Sequence, residues 1–198
     1  MKAISLATCA MMLFPSTIAW SKAGMQKANS QKFAATQAAA QQSSAELAFA
    51  RLKTLAGNWK GEAAMGPQPG MSAAVRVSLR VTSGGDALMH EMVPEGRSDD
   101  PSNGADDPVT MFYIDGDRLL LTHYCDSGKN RPRMAGKLSS DGRTVTFDFL
   151  DLSGGTKYGH MDRAVFTIID ADHHTEDWMY MSPADKPDHA HIDLARAK

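Results

Sequence analysis

Six residues have the chemistry to grip a small molecule: Glu91, His123, Tyr124, Arg133, His160 and Trp178. Three of them fall in one polar stretch, "LTHYCDSGKNRPRM", Leu121 to Met134, which also holds Cys125. An arginine fork suits a carboxylate or a phosphate. The bland reading pairs Arg133 with a structural acid such as Glu91 and makes His123 a satisfied core histidine. Cys125 as a nucleophile would need a nearby base or cation to form the thiolate. His123, two residues away on the same strand face, is the nearest candidate. The other reading of Cys125 is a small buried hydrophobe. Of seven histidines, His189 and His191 share a strand face, but two ligands do not close a zinc site. The expectation is therefore no metal.

Strands must position these groups. "VRVSLRV", Val75 to Val81, alternates strictly, with Val75, Val77, Leu79 and Val81 on one face. "TVTFDFL", Thr144 to Leu150, alternates again and aligns Val145, Phe147 and Phe149. Turn signals separate such runs: Ser83-Gly84-Gly85, Asp115-Gly116, Asp141-Gly142, Gly154-Gly155 and Asp170-Ala171-Asp172. Within the polar stretch, Leu119, Leu121, His123 and Cys125 share one face; Leu120, Thr122 and Tyr124 share the other. Neither face is plainly solvent-like, and His123 and Tyr124 cannot both point inward. Trp178 and Tyr180 share a face with Glu176 and His174. Before the strands, Ser43-x-x-Glu46 is a capping box, and Ala48, Leu52 and Leu55 follow at helical spacing. One short helix is expected over 44–56, stopped by Gly57. The fold class is all-β: an up-and-down antiparallel barrel of about 8–10 strands behind one short N-terminal helix, because closure hides the edges of so long a meander.

Residues 1–23 read as a Sec-type signal peptide, with Lys2, an apolar run from Ala3 to Phe14, and small residues before a cleavage point after Ala19 or Ala23. Pro15 interrupts the run too early for a spanning helix. No second long apolar segment follows, so no stable membrane span is expected after signal removal, and the address is periplasmic or secreted. Residues 24–42 form an Ala/Gln/Lys-rich tether, and residues 43–198 the barrel domain. Of two cysteines, Cys9 leaves with the signal, so no internal disulfide forms. The chain holds 21 basic and 23 acidic residues, a net charge of −2, with no basic block, which argues against nucleic acid. The loop from Pro94 to Pro108 is acidic and rich in breakers, a solvated loop or a lid.

Gly57-x-Trp59, placed between a short helix and a run of hairpins, resembles the opening of lipocalin-like (calycin) barrels, in which the indole closes one barrel end. "GDRLLLTHYCDSGKNRPRM" is similar to a group of exported bacterial barrels with no established activity, matched by Thr122-His123-Tyr124-Cys125, by Gly128 with Asn130, and by Pro132-Arg133-Met134. The turn between these segments is one residue longer here. The resemblance spans Leu47 to Met181 and implies a fold and a compartment, but no reaction. Ten-stranded barrels of this general type include haem binders that use one histidine, for which His160, His123 or His191 would be the candidate. No motif supports haem, and the expectation is no cofactor. The leading reading is an exported barrel that holds a small, partly apolar molecule in its lumen. The alternatives are an enzyme in the same cavity with His123 as general base, or a filled barrel that works through its surface as a structural or stress protein. The sequence holds no nucleophile elbow, phosphate loop or metal triad. Ligand identity and oligomeric state stay open.

Overall fold

The computed structural model describes residues 42–66, 72–96 and 107–198. The expected signal peptide, all of the tether but Gln42, and most of the Pro94–Pro108 loop lie outside these residues. Residues 42–198 form one compact unit.

The chain enters through α1 (Ser44–Lys53). Its capping box is complete: the Ser43 amide donates to Glu46 Oε2 at 2.7 Å and the Glu46 amide to Ser43 Oγ at 3.1 Å. The expected helix ran to residue 56. The last turn instead tightens, as the Leu55 and Ala56 amides reach back three residues to Leu52 and Lys53. Ala45, Ala48, Phe49 and Leu52 face the core.

Ten antiparallel strands follow: β1 (Gly57–Met65), β2 (Ser72–Thr82), β3 (Ala87–Pro94), β4 (Val109–Asp115), β5 (Arg118–Tyr124), β6 (Arg131–Leu138), β7 (Thr144–Ser153), β8 (His160–Ile168), β9 (His173–Met181) and β10 (Pro187–Arg196). Each pairs with its sequence neighbour, and β1 pairs with β10, so the barrel closes. The expected fold class is correct, at the upper end of its strand count. Val75, Val77 and Leu79 point inward and are buried, as the alternation predicts, whereas Val81, expected on the same face, is 39% exposed near the end of β2. Asp115-Gly116 and Asp141-Gly142 sit at hairpin turns, with both glycines at positive φ.

The helix end of the barrel is sealed. Trp59 is buried there, its indole N–H donating to the Leu55 carbonyl at 2.8 Å. The Arg196 guanidinium lies 4.1 Å over its ring and donates to the Ala56 carbonyl at 3.0 Å. Gly57 has φ 141°, and a Cβ at this position would strike that guanidinium. Deeper inside, Phe112, Phe147 and Phe166 form a three-ring cluster with centroids 5.3 to 6.0 Å apart. Gly136 faces this cluster, in space that the Phe147 ring and Leu119 need.

The far end is looser. β7 and β8 pair only over Thr144–Asp148 and Arg163–Thr167, although β7 runs on to Ser153 and β8 starts at His160. β5 and β6 pair only from Leu119 to Thr122. The outer ends of β6 and β7 thus pair with each other and make a flap, with a register shift opposite Arg133/Met134. Phe149, expected to line up with Val145 and Phe147, lies on this flap. It is 38% exposed and packs on the His160 ring at 4.8 Å. Asn130 ties the flap's flanking loops together by donating to the Gly155 and Gly159 carbonyls at 2.9 and 2.7 Å.

Candidate functional site

The loose end opens into a cavity of about 380 Å³, at the small end of the range for ligand sites. Its apolar wall comes from Met92, Pro108, Met161, Trp178 and Ala190, and its polar groups include His90, His123, Cys125 and Asp188. These come from β3, β5, β8, β9 and β10 and the adjoining loops, each at the end of its strand away from the helix.

The cavity rests on a buried carboxylate. Glu176 on β9 is fully buried and accepts three N–H bonds: from His90 Nε2 at 3.0 Å, from His174 Nε2 at 3.1 Å and from the Trp178 indole at 3.0 Å. Burial alone would push the Glu176 carboxyl up. The charge of His90 and the bonds from both imidazoles outweigh it and hold the carboxyl well below the usual carboxylate range. An ionised carboxylate only accepts, so both imidazoles carry their proton on Nε2. His174 packs edge-on against Trp59, with centroids 4.2 Å apart. A continuous column therefore runs from Arg196 through Trp59, His174 and Glu176 to His90 and Trp178 on the cavity wall. His123 meets this column at Trp178, with the two rings 5.3 Å apart, and its Nδ1 lies 2.8 Å from Thr110 Oγ1.

Of the six residues named from sequence, His123 and Trp178 line the cavity together. Tyr124 points to the outside, 42% exposed. Arg133 also lies outside, where it binds Asp151 with two bonds of 2.8 and 2.6 Å. The hydrogen bond and charge of Asp151 raise the guanidinium's pKa, and the same bond lowers that of Asp151. Tyr124 and Arg133 share an outer groove with Arg131 and Asp151. Glu91 alternates away from His90, in register with Ser78 and Val109. His160 sits 3.5 Å from Asp162 beside Phe149, off the cavity wall. His191 pairs with Asp177 on the outer surface at 2.6 Å, so His123 alone of the three haem candidates lines the cavity. Cys125 is half-buried on the wall. Among the described residues, no group of three His, Cys, Asp or Glu side chains could hold a metal, and no helix is long and apolar enough to cross a membrane.

Sequence reasoning did not single out His90 or Thr110. His90 shares a strand face with Leu88 and Met92, but Met89 and Val93 make the other face equally apolar, so alternation gave no preference. His174 and Glu176 were placed on the face of Trp178, and that shared face was the available signal.

No family model matches the chain, and no curated protein matches it either. Solved structures share its fold. Rv2717c from M. tuberculosis superposes with a TM-score of 0.56 at 15% identity, over 76% of this chain and 98% of its own. A Nostoc punctiforme protein of the DUF3598 family, described as of unknown function, superposes with a TM-score of 0.50 at 12% identity, over 74% of this chain and 49% of its own. At such identities the likeness concerns the fold alone.

Proposed function

We propose that the chain is an exported binding protein that takes a small, partly apolar molecule into the open half of its lumen. One observation carries this reading: a lumen filled solid at one end keeps about 380 Å³ free at the other, walled by Met92, Met161 and Trp178. Apolar burial would supply most of the affinity, and the few polar groups would orient the ligand. The leader-like residues 1–23 support a periplasmic or secreted address.

Native mass spectrometry of protein recovered from its own compartment tests the reading. The expected result is a retained small molecule that dissociates on activation and stabilises the empty chain when added back. An empty chain that also shows no thermal shift across a broad panel of lipids and metabolites would overturn it. An enzyme in the same cavity is the second reading, favoured by the Glu176–His90 pair, since a carboxylate that fixes an imidazole's tautomer is a common base arrangement. Chemical conversion of the released molecule by fresh protein would establish it.

A further inference from the structure

We infer that the cavity selects by charge, admitting neutral and cationic apolar molecules and refusing anions. This rests on the proposed binding role and names the ligand class. Binding a carboxylate in a partly dry site takes a permanent cation or several uncommitted N–H donors. Among the described residues, no lysine or arginine lines the cavity. Arg133, the residue best suited by type to an anion, is outside and bound to Asp151. Two N–H donors that the wall carries, His90 Nε2 and the Trp178 indole, already serve Glu176. The Tyr180 hydroxyl is likewise committed, donating to the Tyr158 carbonyl.

The fixed charges point the same way. Glu176 lies one side chain behind the wall, bonded directly to two residues that line it. Asp188 stands on the wall itself, at the solvent side where β10 begins. At a pH that leaves the imidazoles beside Glu176 uncharged, a ligand anion would meet the exposed Asp188 carboxylate at the mouth and, deeper in, the buried Glu176 carboxylate behind His90 and Trp178, where the drier surroundings strengthen the repulsion. A cation would meet those same carboxylates favourably, beside an indole whose N–H is held by an anion. Among the described residues the wall offers an anion no lysine or arginine, only the neutral-type donors of His123, Ser127 and His189 beside the committed ones, and its carboxylates add negative charge; both observations disfavour the same class.

Three probes of one skeleton test this: 2-phenylethanol, 2-phenylethylammonium and phenylacetate. Each would compete with the neutral dye N-phenyl-1-naphthylamine on the purified full chain at pH 8, above the ordinary imidazole range. The alcohol and the ammonium are expected to displace the dye, with phenylacetate at least about tenfold weaker, a gap of ~1.4 kcal/mol. Asp188→Asn, at an exposed site where the amide oxygen can still accept from the His189 backbone N–H, should narrow that gap several-fold; Glu176→Gln, if it folds, should narrow it further. Phenylacetate matching the alcohol, with dye binding intact, overturns the charge inference and leaves the binding role standing. A dye that does not bind, with no probe causing a thermal shift, overturns both.

Discussion

The two halves of this barrel are built to different standards. At the helix end the strands are laddered throughout, three phenylalanines meet in the centre, and Trp59 with Arg196 closes the bottom. At the far end β6 and β7 leave their outer neighbours, and a cavity takes the place of the rings. Stability is concentrated in the first half, which frees the second to keep space that a folding core would otherwise fill. Glu176 lies on the boundary: His174 joins it to the sealed half, while His90 and Trp178 join it to the open one.

Matched deletions on either side of that boundary give the largest contrast. Phe147→Ala removes a fully buried ring that packs on both Phe112 and Phe166 and should cost about 3–5 kcal/mol. Met161→Ala, on the cavity wall, adds space to space that already exists and should cost under about 1 kcal/mol. Urea denaturation measures both. Equal losses would mean that the far end is packed like the near one.

The boundary itself gives the next effect. Glu176→Gln strands N–H donors that now share one carboxylate and should cost about 3 kcal/mol. It should also change the acid limb of the stability curve. The folded carboxyl is held below its unfolded value, ordinarily about 4.3. Its contribution is therefore complete above that value and is lost as pH falls below it toward the folded one. The wild-type chain should lose stability more steeply below pH ~4 than Glu176→Gln does. Parallel acid limbs would mean that the carboxylate is not held as the hydrogen bonds require.

The sealed half was the legible one. Val75, Val77, Leu79, Val145 and Phe147 alternate because one side of each strand is dry and the other wet, and that contrast is written in residue type. The capping box and Gly57-x-Trp59 are local, with every partner within a few positions. The open half depends on long-range pairings. Glu176 becomes a carboxylate anchor only because His90, 86 residues earlier, comes to lie across the lumen. Phe149 kept the inward rhythm in sequence but lost its dry surroundings where β7 parts from β8. Arg133 looked like an anion fork because its type is right, and only the paired register of β6 and β7 reveals that Asp151 occupies it.

Arg133 supplies the smallest expected effect and the sharpest check on where the open half ends. Its guanidinium and the Asp151 carboxylate are each a little under half exposed on the outer side of the flap. Surface pairs of this kind contribute little to stability. Arg133→Gln should leave the urea midpoint and the dye-binding curve unchanged within error, since neither the sealed core nor the cavity wall loses a contact. A several-fold change in dye affinity would show that the β6–β7 flap reaches the cavity mouth. The open half would then extend beyond the wall formed by β3, β5, β8, β9 and β10 to β6 and β7, whose outer ends pair only with each other.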